Sequence, residues 1–262
     1  HTNFKISSSG ETIVITDLDS FLVDSLYTQE LLLDISLGRI EDGENIGMFL
    51  SPTPGGPNGS ESVLGVLGEL TYSHSSGFYD DQSINITVTT NDENVDIYYT
   101  IDGSEPDPDS YLYSGPILIQ ENKVIRAASF KNGWLRSPIK TSTFILDNES
   151  YDFPTLFLST APANFFDYFT GMYVMGPNAS SNFPHFGANF WEDWEKPVYI
   201  EILEPDGTYF ESPAGAKIFG GWSRGQEQKS LSIFARGEYG SQEFDYPLFP
   251  DLDIDSYQSF VL

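Results

Sequence analysis

Three cations gather beside a glycine-rich turn between Gly220 and Arg236. Gly220-Gly-Trp-Ser-Arg224 is a glycine-rich turn that carries Arg224, and the strand pattern after it holds Lys229 and Arg236. Those are three of only 12 Lys and Arg residues in a chain with 39 Asp and Glu. Phosphoryl transfer needs a cation on the phosphates, Mg2+ held by carboxylates and a base for the acceptor hydroxyl. The plainer expectation is that Lys229 and Arg236 pair with Glu227, Glu238 or Asp245 on a solvated strand. That expectation is favoured for this chain, because no matched catalytic acids accompany the turn, and the Gly-Gly turn by itself matches no nucleotide-binding pattern.

Two carboxylate clusters have spacings that suit calcium. Asp251, Asp253 and Asp255 alternate along the chain, as a loop ligand set would. They lack the turn glycine and the later bidentate Glu of an EF-hand loop. Asp102, Glu105, Asp107 and Asp109 share one proline-rich loop, where proline serves turn-making as well as chelation. The default for both clusters is solvated acid. His1, His74 and His185 are far apart and offer no zinc spacing. Trp134, Trp191, Trp194 and Trp222 could stack on sugar rings, although packing in a core or turn is the commoner use of tryptophan. N-x-[ST] sequons occur at Asn58, Asn85, Asn148 and Asn178.

The elements that must position these residues are strands. Residues 11–16 put Ile13 and Ile15 on one face, and residues 83–89 set Ile84, Ile86 and Val88 against Asn85, Thr87 and Thr89. Residues 197–204 set Val198, Ile200 and Ile202 against Tyr199, Glu201 and Leu203. Further strands are expected over 95–101, 124–130, 141–146, 155–159, 216–220 and 230–236. Asp102-Gly103, Asn132-Gly133 and Pro205-Asp206-Gly207 supply turns. The best helix spans 162–168, with Pro162 at the first helical position. The fold class is all-β, or nearly so, with short helices.

The Pro/Gly run from Ser51 to Ser60 can neither pair nor coil, so it ends a domain. The polar stretch 147–152 marks a second boundary. The expected units are 1–59, a linker at 60–69, 70–146, a linker at 147–152, and 153–262.

Composition narrows the function. A formal net charge of −27 repels nucleic acid and anionic membranes, so neither is an expected partner. Solubility in a salty medium is the first reading of the acidity, ahead of calcium sites and a basic partner. The chain has no Cys, which removes disulfides, thiolate metal sites and cysteine nucleophiles. Its apolar runs are too short to span a bilayer. The opening His-Thr-Asn-Phe-Lys-Ile reads as the interior of a domain, with further residues expected before it.

Three resemblances follow from local motifs. Asn3-Phe-Lys-Ile-Ser-Ser-Ser-Gly-Glu-Thr12, Val23-Asp-Ser25, Ser36-Leu-Gly-Arg39, Asp42-Gly43 and Ser51-Pro-Thr-Pro-Gly55 resemble the second half of a lamin-tail domain. That resemblance implies an immunoglobulin-like sandwich with open edges and an uncovered apolar face where earlier strands would lie. Ser76-Gly-Phe-Tyr79, Ile97-Tyr-Tyr-Thr-Ile-Asp-Gly-Ser-Glu-Pro106, Tyr113-Ser-Gly-Pro-Ile117 and Lys123-Val-Ile-Arg-Ala127 resemble the immunoglobulin-like domain at the C-terminus of chitobiases. Such domains mostly act as spacers.

The third resemblance is to the beginning of the spore-coat-protein-H (CotH) kinase-like family. It rests on Gly171-Met-Tyr-Val174, Trp194-Glu-Lys-Pro-Val198, Gly220-Gly-Trp-Ser-Arg224, Gln228-Lys-Ser230 and Tyr246-Pro-Leu-Phe-Pro-Asp251. It implies an atypical ATP- and Mg2+-dependent kinase at a cell or spore surface, with Arg224 and Lys229 as phosphate partners. The catalytic acids would lie beyond Leu262. Taken together, the sequence leads us to expect a secreted or surface-anchored bacterial multidomain protein acting in structure, adhesion or display. The alternatives are part of a CotH-type kinase and a carbohydrate-associated binding module. Expected partners are other protein domains, surface proteins or glycans.

Overall fold

The computed structural model describes residues 5–7, 10–28, 35–43, 45–59, 62–147, 151–249 and 251–262. The protein is built from strands, as its alternating pattern dictates. It divides into two compact units, one of His1–Leu67 with Lys131–Arg136 and one of Gly68–Phe130 with Ser137–Leu262.

In the first unit, β1 (Thr12–Thr16) and β2 (Leu22–Tyr27) form an antiparallel ribbon, and β3 (Ser36–Arg39) pairs with β4 (Ile46–Phe49). The Asp17 carboxylate closes the first turn by accepting from the backbone N–H groups of Asp19 and Phe21 at 3.0 and 2.9 Å. An ion pair joins Arg39 to Asp24. The ribbon leaves Val14, Ile15, Leu22 and Val23 exposed. Residues 1–4, 8 and 9, on which part of the lamin-tail resemblance rests, lie outside the described residues.

The second unit holds two β domains. The first is a sandwich containing β5 (Thr71–Tyr72), β6 (Gly77–Tyr79), β7 (Ile84–Ile86), β8 (Val88–Thr89), β9 (Asp96–Thr100), β10 (Tyr111–Leu112), β11 (Ile117–Ile119), β12 (Lys123–Phe130) and β13 (Lys140–Leu146). A five-stranded sheet runs β10-β9-β12-β13-β6, and the pairs β11-β7 and β5-β8 complete the fold. Only β6 and β13 are parallel there. Ile84, Ile86, Ile117, Ile119, Ile125 and Phe144 meet in one core. The expected single strand over 83–89 is broken at Thr87, where the chain leaves β11 for β5. The Thr87 N–H is taken up by the Ser73 hydroxyl at 3.0 Å, so the break leaves no orphan donor.

The second domain is a five-stranded antiparallel sheet in the order β14 (Thr155–Ser159), β15 (Glu195–Leu203), β16 (Tyr209–Ile218), β17 (Leu231–Phe234) and β20 (Ser259–Val261). The short pair β18 (Phe244–Asp245) and β19 (Ser256–Tyr257) flanks it, and α1 (Pro162–Phe166) is one turn with proline at its start. Val198, Ile200, Ala216, Ile218, Ile233 and Phe260 form its core. β16 begins seven residues before the strand expected at 216, running through Pro213. β17 pairs β16 only from Gly215 onward, so Pro213 lies where one edge is open and a missing N–H is tolerated.

The two domains of this unit share a buried polar joint. Glu201 on β15 has no solvent exposure. The hydroxyls of Ser76 and Thr143, both from the sandwich, donate to its carboxylate. The Tyr209 hydroxyl lies 2.9 Å from Glu201 and 2.8 Å from Glu211, and Glu211 in turn meets Lys140 at 2.7 Å. Phe78 packs near Phe157, with ring centroids 6.0 Å apart, and adds apolar contact beside the joint.

Candidate functional site

The loop between α1 and β15 and the turn after β16 together build an aromatic platform. The 3-10 turns Asn189–Trp191 and Trp222–Gly225 bring the rings into register. Phe186 lies 4.8 Å from Trp191 and 6.3 Å from Trp222, and Phe183 lies 6.2 Å from Trp222, centroid to centroid. Phe183, Phe186 and Trp222 remain 51, 54 and 66 % exposed, so three large apolar rings face water together. Exposed aromatics clustered in this way mark interaction surfaces more often than scattered ones do.

Buried hydrogen bonds hold the platform in place. Asn189, almost wholly buried, donates from its side-chain amide to the carbonyls of Tyr168 and Gly171 at 3.1 and 3.0 Å. Trp191 donates its indole N–H to the Pro184 carbonyl at 2.9 Å. Gly225 permits the loop and the turn to touch: a Cβ there would lie 2.9 Å from the Phe183 ring and 3.1 Å from Pro184. Only a residue without a side chain allows that approach.

Arg224 and Lys229 border the same aromatic cluster. The Arg224 guanidinium sits 5.8 Å from the Trp191 ring and donates through Nε to the Gly220 carbonyl at 2.7 Å. Lys229 Nζ lies 4.3 Å from the Phe190 ring and 5.0 Å from Tyr173, and it donates to the Gln226 carbonyl. Burial of the ammonium lowers its pKa. Lys229 thus sits against rings and a carbonyl, and Glu227 is not its partner. Arg236 forms a two-pronged pair with Glu195 at 2.7 and 2.8 Å. The Glu195 carboxylate, by that bond, raises the pKa of the guanidinium. Sequence spacing does not reveal Glu195, because it lies 41 residues away on β15, which only the sheet register brings alongside.

Gly221-Trp-Ser-Arg-Gly225 spells G-x-S-x-G, although no serine of the chain was expected in a nucleophile-elbow context. A nucleophile elbow requires a strand-to-helix turn under an exposed Ser. Ser223 instead lies within a single 3-10 turn, so no elbow is formed.

Two acids of the proline-rich loop, Asp102 and Asp107, do turn-making work. Asp102 accepts from the Ser104 hydroxyl at 2.5 Å and from its backbone N–H at 3.0 Å, which holds its carboxyl below the usual range. Asp107 accepts from the Ser110 hydroxyl at 2.9 Å and from the Asp109 N–H at 3.0 Å. Glu105 lines a cleft beside Arg126, while Asp251, Asp253 and Asp255 are exposed. Among the described residues no three His, Asp or Glu side chains converge as a metal cage requires. Adding millimolar calcium, or a chelator, is accordingly expected to leave the melting temperature unchanged in a thermal scan. A calcium-dependent rise would assign these loops to the ion.

The other tryptophans lie elsewhere. Trp134 packs over Gly65 in the first unit, with Lys131 Nζ 5.3 Å from its ring, and Trp194 lies beside Lys196 at 5.4 Å. Asn148, one of the sequon asparagines, lies outside the described residues. No helix among the described residues is long and apolar enough to cross a membrane.

The sandwich of β5 to β13, with its proline-rich Asp-Gly loop and Gly-Pro return, defines an immunoglobulin-like domain. Residues 74–141 match the family model of the chitobiase/beta-hexosaminidase C-terminal domain, as the Tyr-Tyr-Thr strand and its Asp-Gly turn led us to expect. The match covers most of that sandwich and stops before the platform. No curated protein matches the chain.

Proposed function

We propose that this chain is part of an extracellular, surface-presented protein whose second unit engages glycans through the Phe183–Phe186–Trp222 platform. The observation that carries the reading is the joint exposure of those three rings on a loop pinned by Asn189 and Trp191. Planar aromatic faces offer a sugar ring apolar surface at little entropic cost, because such side chains have few torsions to freeze. Arg224 at the rim supplies a donor for hydroxyl or carboxylate substituents. The chitobiase-type domain beside it fits a carbohydrate-associated module and serves as the spacer that presents the platform. In this reading the lamin-tail-like first unit contributes structure, and the protein works in adhesion or display.

The test is co-sedimentation with insoluble chitin, cellulose and peptidoglycan. The full chain is expected to pellet with at least one of them. Trp222→Ala is expected to weaken that binding about tenfold or more, the effect of removing a central aromatic anchor. Retention on none of the three, or equal retention of Trp222→Ala, overturns the proposal.

A second reading draws on the placement of Arg224 and Lys229 at one aromatic cluster beside a Gly-rich turn. These would be the phosphate partners of a CotH-type kinase whose remaining machinery is supplied by further sequence. When bound, ATP with Mg2+ would supply the transferable phosphoryl group. Arg224 and Lys229 would neutralise its charge, once Lys229 left the Gln226 carbonyl. Residues 1–262 alone are expected to show no ATP turnover above background, and Lys229-dependent turnover would refute that expectation.

A further inference from the structure

A cleft in the second unit, remote in sequence from the platform, has the chemistry of a receptor for a basic side chain. Its main chamber has a volume of about 370 Å3, and a smaller one of about 170 Å3 shares Glu105, Arg126, Tyr199, Pro213 and Tyr239 with it, so the two form one depression. The sandwich contributes Leu70, Ile139 and Lys140, and the five-stranded domain contributes Glu211 and Glu238.

Three features select the ligand. The first is charge. Glu69, Glu105, Glu211 and Glu238 face two cations, Arg126 and Lys140. Lys140 is already matched by Glu211 at 2.7 Å, and Arg126, only 9 % exposed, donates to the Gly103 carbonyl at 2.9 Å. The exposed carboxylates of Glu69 and Glu238 therefore set the sign at the mouth. The second is the pair of phenol rings. Burial raises the pKa of Tyr199, and burial with Glu195 pushes Tyr239 up to about 12, so both phenols that line the cleft stay neutral. The third is the apolar wall of Leu70, Ile139 and Pro213. A long basic side chain matches all three features at once, with its methylene stem on the wall and its charged head among rings and carboxylates. The chain's net charge of −27 steers such a partner inward.

We infer that this cleft docks an arginine or lysine side chain from an extended segment of a basic partner protein. The inference is independent of the glycan reading, because it uses none of the platform residues.

The experiment is fluorescence anisotropy of the full chain with a labelled (Arg-Gly)4 peptide at physiological salt. Saturable binding is expected, and a citrulline-for-arginine peptide is expected to show none. Glu69→Gln with Glu238→Gln should weaken binding about tenfold, and Tyr239→Leu about two- to fivefold through loss of one cation–ring contact. Asp251→Asn with Asp253→Asn removes the same charge elsewhere and should leave affinity within about twofold, since exposed charges beyond a Debye length are screened. All three variants change exposed or half-exposed side chains, and a thermal scan verifies that each is folded. Equal losses in the cleft and control variants would reduce the effect to the general field and overturn the inference. Binding of glucosamine oligomers without binding of the arginine peptide would overturn it as well.

Discussion

Glu201→Ala is expected to lower the stability of the second unit by about 3–5 kcal/mol, the cost of removing one partner from a buried charge-centred network. The carboxylate is inaccessible to water and receives the Ser76 and Thr143 hydroxyls, with the Tyr209 hydroxyl 2.9 Å away. Alanine strands those hydroxyls in a dry interface, and each orphaned group costs about 1–3 kcal/mol. Glu201→Gln retains one acceptor oxygen and should lose less. Urea denaturation followed by tyrosine and tryptophan fluorescence measures both. The wild type should unfold its sandwich and five-stranded domain in one transition, which Glu201→Ala should shift to lower denaturant and broaden or split. The triple change Ser76→Ala, Thr143→Val, Glu201→Met should recover much of the loss, because matched apolar groups can replace a buried polar set at little cost. A Glu201→Ala protein within about 0.5 kcal/mol of wild type would refute the joint, since a change that small is what a surface substitution gives.

Gly103→Ala should be the next most damaging single change, at about 2–5 kcal/mol, the sum of a backbone and a steric cost. Gly103 holds φ at +88°, and a Cβ would lie 2.4 Å from the Thr160 carbonyl oxygen, a backbone atom that cannot swing aside. An L-residue in this region costs about 1–2 kcal/mol by itself, and forcing atoms into a filled space costs about 1–3 kcal/mol more. Arg126 donates to the Gly103 carbonyl at 2.9 Å, so any backbone shift that relieves the clash also disturbs a buried guanidinium. The melting temperature reads this directly. A shift no larger than that of Gly207→Ala, where a φ of +88° meets open space, would show that the close approach carries no cost.

Much of the fold is legible in local pattern. Residues 155–159 form a strand with the expected ends, and Asp102-Gly103 and Pro205-Asp206-Gly207 turn the chain where glycine allows positive φ. What could not be read depends on tertiary contact. The alternation over 197–204 sorts Tyr199, Glu201 and Leu203 onto the opposite face from Val198, Ile200 and Ile202, yet nothing local says that a second domain covers that face. A lone Glu at such a position reads as solvated; here it is the centre of the joint. The short strands β6, β10 and β18 to β20 carry too few residues to show a period. For the platform, Arg224, Trp191 and Trp222 were visible as candidates, whereas Phe183 and Phe186 lie in an irregular loop without periodicity. Their signal was composition: two Phe residues flanking Pro-His, in a chain with 20 Phe.

The joint at Glu201 also bears on how the parts of this protein can be exchanged. A sandwich transplanted into another chain would carry Ser76 and Thr143 into water, where hydroxyls are at home. The five-stranded domain is less portable. Without its neighbour it would present Glu201 in the middle of a face that also carries Phe157 and Leu203, and Gly77, which lies within 3.6 Å of Leu203 measured from the Cβ it lacks, would no longer cover it. Recombination that preserves function therefore has to move residues 68–262, apart from the loop 131–136, as one cassette, or to rewrite that face when it does not.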